Sequence, residues 1–408
     1  MKMIISPSVL DGAIPSTPSR WHTQFSLALA SLAFGQSRLE RCAIDDVTIS
    51  LMTGLEAMGA KVEVSGDTCI VDGGLFHPRG EIDAEAHEDN LAVLAGVASN
   101  LPRNSRIQFQ SRRGDAYPYL NALMALGVSV SSQAKGRESP WLLRGPSRNS
   151  TTHVTGDIPP AFICSLVLAG VLRMRDYEIT IIPPDRSISM MELVVDSMSS
   201  FGMGMAAGMG RVRVSGLEPL RPTKVRIRDD SELAAYPLVA GALCGRVTVG
   251  GDMTGDPSLA AIMAFDADIA ASRSQVTVRA GDLNGANVDL SRCPRAFPAL
   301  AVLATRARGG TVLHSANIPG RDTITPTIKL LRRMGCLAKA TEDGAVIPYA
   351  HLQGCELGEL EDPLVAMAAM VAGCSAEGET VISNPQIAEE ECPGFIRHMM
   401  SLGALFYE

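Results

Sequence analysis

Aromatic residues supply only 4% of this 408-residue chain, so small aliphatic side chains and 19 Met must fill its interior. Long hydrophobic runs are missing as well. The longest, such as Ala161 to Leu172, reach about a dozen residues, the length of a buried helix and too short to span a bilayer. The N-terminal MKMIISPSVLDG is broken by Pro7 and does not read as a signal peptide, so a cytoplasmic location is expected. Nine cysteines occur without a CxxC pair or Cys/His spacing, and this odd, scattered set predicts reduced thiols instead of a disulfide scaffold or zinc site. Seven His are equally dispersed, and there is no HExxH. No metal or cofactor is therefore expected. A formal charge of −8 without any basic run excludes the usual footprint of a nucleic-acid or membrane-surface partner. GMGMAAGMG at Gly202 to Gly210 follows a helix and lacks the strand, turn and helix of a dinucleotide site, so it reads as a flexible helix exit.

What the chain does contain is repetition. From Thr17 to Val64 it reads helix, strand, helix, strand. An Ala-rich apolar run around Leu27, Leu29 and Leu32 is followed by a crossover to Asp45 and Asp46. These cap a second helix carrying Ile49, Leu51, Met52, Leu55 and Met58, which closes at Gly59 before KVEV. The same unit returns five times. Its Ala-rich helices begin near Leu91, Phe162, Leu233, Phe297 and Pro363. Its second helices close at Gly127, Gly202, near Asp268, at Gly335 and at Gly403, about 65 to 75 residues apart, with the fourth copy worn. At about 150 residues per domain, the length fits two or three domains. The break GLEPLRPTK, Gly216 to Lys224, divides the repeats three and three. Two lobes are expected, residues 16–221 and 222–408, with the N-terminal strand of residues 1–15 returning to the second.

This pattern and several motifs resemble the EPSP synthase and enolpyruvyl transferase family over nearly the whole chain. PSRWHT followed by LALASLAFGQS is similar to the family's PSKSxTxR opening and LAALAxG helix, and Asp45 to Val47 matches its DDV. TGDIPPAFICSLVL stands at DxSxSSQFxxALLM, IRDDSELAAYPLVAGAL at VxGDxSSAxYFLAAA, and ECPGF with the later LG at the closing SxPxF and LG. The resemblance implies a two-lobed, inside-out α/β barrel of six βαβαββ repeats, three per lobe, around a substrate cleft.

The chain departs from that pattern where the family's chemistry lies. Arg20 stands for the opening Lys, Trp21 for the next Ser and Phe25 for the Arg. Pro159, Pro160 and Ala161 replace Ser-Ser-Gln, and PRAF puts Arg295 at the catalytic Asp. NIPGRDTITP stands at the family's N-x-R-x-K-E-x-D-R segment with Arg321 and Asp322 as its remnants, and the Lys-Glu pair has no counterpart. The Asp-His-Arg set becomes Asp362, Pro363 and Leu364, and the late Lys falls near Glu390. These changes remove most groups that grip phosphoenolpyruvate and move its protons, so standard transfer is not expected.

The first helix of each repeat would aim its N-terminus at the cleft, where free N–H groups attract anions. Here acids or prolines stand at several of those ends: Asp89, Asp157 with Pro159 and Pro160, Asp229 with Asp230, and Asp362 with Pro363. Each acid reads equally as an ordinary N-cap. Taken together, they point to a ligand less anionic than the family norm. Arg20, Arg112, Arg113, Arg186 and Arg321 are the candidate carboxylate-binding groups. Trp21 is a candidate for stacking on a ring, and Ser187 beside Arg186 corresponds to a family ligand-contact loop. His22, Asp322 and Arg295 are the candidates for catalysis. The expected partner is a small molecule, a cyclic carboxylic acid of the shikimate type. Three functions remain open: transfer with a rearranged set, elimination on a shikimate-derived substrate, and binding without catalysis.

Overall fold

A computed structural model of the chain describes residues 2–74, 82–83, 88–102, 105–108, 117–132, 141–155, 159–182, 190–318 and 321–408. They form two compact units, one of residues 18–228, the other of residues 1–17 with 229–408.

At the centre of the first unit lie the Ala-rich helices Arg20–Leu32, Glu88–Ala98 and Pro160–Leu168. Trp21 to Leu32 is buried at every position, as expected for a helix apolar on all sides. Small residues let these helices approach closely: a Cβ on Gly96 would stand 2.6 Å from the Ser165 carbonyl oxygen. Gln24, fully buried among them, donates to Asn90 Oδ1 at 2.9 Å, and Asn90 donates to the Val47 carbonyl at 2.9 Å. The second unit repeats the plan with Ser231–Cys244, Phe297–Ala304 and Pro363–Ser375.

Six four-stranded sheets carry one topology. In each, the first strand pairs in parallel with the second, the second is antiparallel to the fourth, and the fourth is antiparallel to the third. In the second repeat the strands are Ile82–Asp83, Ser105–Gln108, Ser129–Ser132 and Trp141–Arg144, in chain order. Three sheets borrow a strand from elsewhere. The first repeat takes Lys224–Arg226, which pairs in parallel with Arg38–Glu40. The fourth takes Leu10–Ile14, parallel to Gly245–Val249, and the sixth takes Met3–Ser6, which lies between Thr380–Ile382 and Leu405–Tyr407. The borrowed strand Lys224–Arg226 moves the boundary from the expected 221/222 to 228/229.

Local chemistry explains the repeat ends. The outer helices stop at residues with left-handed φ: Gly59, Gly127, Gly202, Gly335 and Gly403. In the fourth copy Asp266, at φ +57°, takes that position two residues before the expected Asp268, because a short polar side chain tolerates the conformation. Ile49, read as apolar-face, is 48% exposed. Met205–Gly208 is a strand paired with Arg211–Val214 through a turn with positive φ at Met209 and Gly210, so the glycine-rich stretch forms a hairpin instead of a flexible exit.

Candidate active site

Among the described residues, three helices begin with an aspartate that performs two tasks. The free N–H groups of a first turn favour a carboxylate at the N-cap, and a carboxylate has a second oxygen to spare. Asp45 Oδ1 accepts from the Thr48 N–H at 2.8 Å, while Oδ2 holds Arg20 Nε at 2.6 Å. Asp230 Oδ1 accepts from the Leu233 N–H at 3.1 Å, and Oδ2 holds Arg295 Nη1 at 2.9 Å. Asp362 Oδ1 accepts from Leu364 and Val365 at 2.9 and 3.2 Å, and Oδ2 holds Arg321 Nε at 2.6 Å.

In the second unit two of these pairs meet on one further carboxylate. Arg295 Nη2 donates to Glu391 Oε1 at 2.7 Å, and Arg321 Nη1 donates to Glu391 Oε2 at 3.0 Å. Tyr236 donates to the Arg295 carbonyl at 2.9 Å, and the Arg295 N–H donates to Glu232 Oε2 at 2.7 Å. Burial pushes the Glu232 carboxyl up to about 7 against the opposing pull of Arg295. Burial also disfavours charge on Arg295 and Arg321, but the facing carboxylates outweigh it and hold both firmly cationic. Leaving Glu232 aside, two guanidiniums face the three carboxylates of Asp230, Asp362 and Glu391. Among these described groups there is no surplus positive charge.

Other sequence candidates occupy different surroundings. His22 is buried in the first unit, where its Nδ1 accepts from the Arg228 N–H at 3.0 Å. Burial, with help from Arg228, lowers it to about 4, so it is neutral near pH 7 and ties the end of this unit to its first helix. Asp322 is exposed and accepts from the Thr325 N–H at 3.0 Å at the start of the Ile324–Arg333 helix. Trp21, only 9% exposed, packs in the first core with its ring 6.0 Å from that of Phe25. Arg112, Arg113, Arg186, Ser187 and Asp157 lie outside the described residues, as does the side chain of Asp89. Among the described residues no three His, Cys, Asp or Glu side chains gather as metal ligands.

Of the predicted groups, the structure brings Arg295 and Arg321 together on Glu391. Sequence reasoning passed over Glu232, Tyr236 and Glu391. A usable signal was the run Glu389 to Glu391 before CPGF. Glu389 accepts from the Gly394 and Ile396 N–H groups, the latter at 2.9 Å, and Glu391 takes the arginines.

Two units of three βαβαββ repeats, with Ala-rich helices inside and sheets outside, define the enolpyruvyl transferase architecture. The chain matches the family model of EPSP synthase (3-phosphoshikimate 1-carboxyvinyltransferase) over residues 5–399. It belongs to that family. It is similar to the 3-phosphoshikimate 1-carboxyvinyltransferase of Methanocorpusculum labreanum, at 30% identity over 424 aligned residues and 99% of each chain. That of Methanoculleus marisnigri is also 30% identical, over 97% of this chain and 98% of the relative. The EPSP synthase structure from Acinetobacter baumannii shares the fold at a TM-score of 0.85 and 17% identity, covering 100% of this chain and 99% of that one. The enolpyruvyl transferase NikO from Streptomyces tendae shares it at 0.79 and 18%, covering 100% and 98%. No helix among the described residues is long and apolar enough to cross a membrane.

Proposed function

We propose that this family member binds a cyclic carboxylic acid of the shikimate type and does not carry out standard enolpyruvyl transfer from phosphoenolpyruvate. One observation carries the reading: Arg295 and Arg321 are both committed to Glu391 and to the N-cap carboxylates Asp230 and Asp362. Transfer between two phosphorylated substrates demands unspent positive charge and a group to move protons. The cluster offers two cations already matched by three anions. Similarity along the full length to 3-phosphoshikimate 1-carboxyvinyltransferases supports a shikimate-type ring as the ligand. The balance of charge favours its monocarboxylate form over its phosphate ester.

Calorimetric titration with shikimate, shikimate 3-phosphate and phosphoenolpyruvate tests this reading. Saturable binding of shikimate, with no heat from phosphoenolpyruvate in the presence or absence of shikimate, is the expected result. Tight phosphoenolpyruvate binding contradicts it. Elimination is a second reading, and Glu232 favours it. A carboxyl pushed up to about 7 that accepts from the Arg295 N–H is suited to carry a proton, which the neutral His22 and the exposed Asp322 are less suited to do. Product analysis after incubation with shikimate-type acids separates elimination from binding alone.

A further inference from the structure

Glu391 sits where a ligand would be expected to sit. Its two oxygens are divided between two guanidiniums, with Arg295 Nη2 at 2.7 Å and Arg321 Nη1 at 3.0 Å. This is how a pair of arginines grips a bound carboxylate. Neither guanidinium depends on Glu391 for its position, because Arg295 is held from another side by Asp230 and Arg321 by Asp362. Both anchors are fixed in turn by capping a helix. A donor is also held in reserve: Arg321 Nη2 is buried and has no hydrogen-bond partner among the described residues. A buried donor left unsatisfied is costly, and an incoming acceptor relieves the cost. Glu391 itself ends a helix of only four residues, Ala388–Glu391, and keeps 15% of its side chain accessible.

We infer that Arg295 and Arg321 form a site for a ligand carboxylate that this chain fills with its own Glu391, so that an acid binds by displacing that side chain. Charge sets the specificity. With Glu391 withdrawn, Arg295 and Arg321 balance Asp230 and Asp362, and an incoming monocarboxylate restores the charge that Glu391 supplied. A phosphate dianion adds one charge more to a partly buried cluster, where excess charge is strongly disfavoured. The inference rests on the proposed reading that this chain binds a carboxylic acid. Its test reads binding by a small probe and no turnover, so it can fail while the larger reading stands.

The experiment compares the full-length chain with Glu391→Ala and Glu391→Gln in thermal melts at pH 8. Sodium acetate, sodium phosphate and sodium chloride are added at matched ionic strength. Acetate at ten times its dissociation constant should raise the Tm of E391A by about 3 °C relative to chloride. It should shift the wild type and E391Q, whose site stays filled, far less. Phosphate should raise the E391A Tm less than acetate does. If E391A does not fold in chloride, recovery of folded protein on refolding in acetate, absent in chloride, is the equivalent readout. Acetate acting no better than chloride on E391A overturns the inference, and so does phosphate acting as well as acetate.

Discussion

Asp362 caps the Pro363–Ser375 helix with Oδ1 and holds Arg321 with Oδ2 at 2.6 Å, so one side chain fixes both a helix start and a guanidinium. The two roles separate by mutation. Asp362→Asn keeps a good cap but removes the charge facing Arg321, and should cost about 1–3 kcal/mol. Asp362→Ala removes the cap too, adding roughly 1 kcal/mol. Urea midpoints of the two variants measure the difference, and equal midpoints would mean that the cap contributes nothing.

His22 predicts a pH dependence at the acid end. Its folded value, about 4, lies below the ordinary 6.5, so both states are neutral above pH 6.5 and its contribution is then fully present. As pH falls from 6.5 toward 4, the unfolded chain takes up a proton that the folded chain refuses, and stability is lost. His22→Asn supplies an acceptor for the Arg228 N–H without titrating. The wild type should therefore lose more stability than H22N between pH 7.5 and 4.5, as measured by urea unfolding. Parallel losses contradict the assignment.

Glu232 acts with the opposite sign. Its folded value of about 7 exceeds the ordinary 4.5, so its contribution is complete below pH 4.5. As pH rises from 4.5 to about 7, the unfolded chain releases the proton first and stability falls; above 7 the effect levels off. Glu232→Gln retains an acceptor for the Arg295 N–H and should remove this component of the slope. An unchanged profile in E232Q places the carboxyl in a more solvated setting than the cluster provides.

The fold was legible because it is written six times. Ala-rich helices buried on all sides and outer helices closed by left-handed glycines leave a periodic trace, and even the worn fourth copy keeps its left-handed residue in Asp266. The borrowed strand Lys224–Arg226 was hidden because three residues carry no period of their own, and only pairing with Arg38–Glu40 reveals where they belong. At the site, the sequence marked Asp230 and Asp362 as acids at helix starts and Arg295 and Arg321 as candidate site residues. Their pairing was beyond it, since Glu391 lies 96 residues from Arg295 and 70 from Arg321. The burial of His22 and its bond from the Arg228 N–H were likewise beyond the sequence, since the two residues lie far apart in the chain.

On the proposed reading, internal ion pairing has taken over the charges that standard enolpyruvyl transfer requires. Losing an acid/base group typically lowers rate by about 10²- to 10⁴-fold, and losing one charge-stabilising donor by about 10²- to 10³-fold. Phosphate release from shikimate 3-phosphate and phosphoenolpyruvate by the purified protein is the most direct measurement. An active EPSP synthase assayed in parallel provides the positive control. Release indistinguishable from the protein-free blank is the expected result, whereas sustained turnover comparable to that of the control contradicts the proposed function.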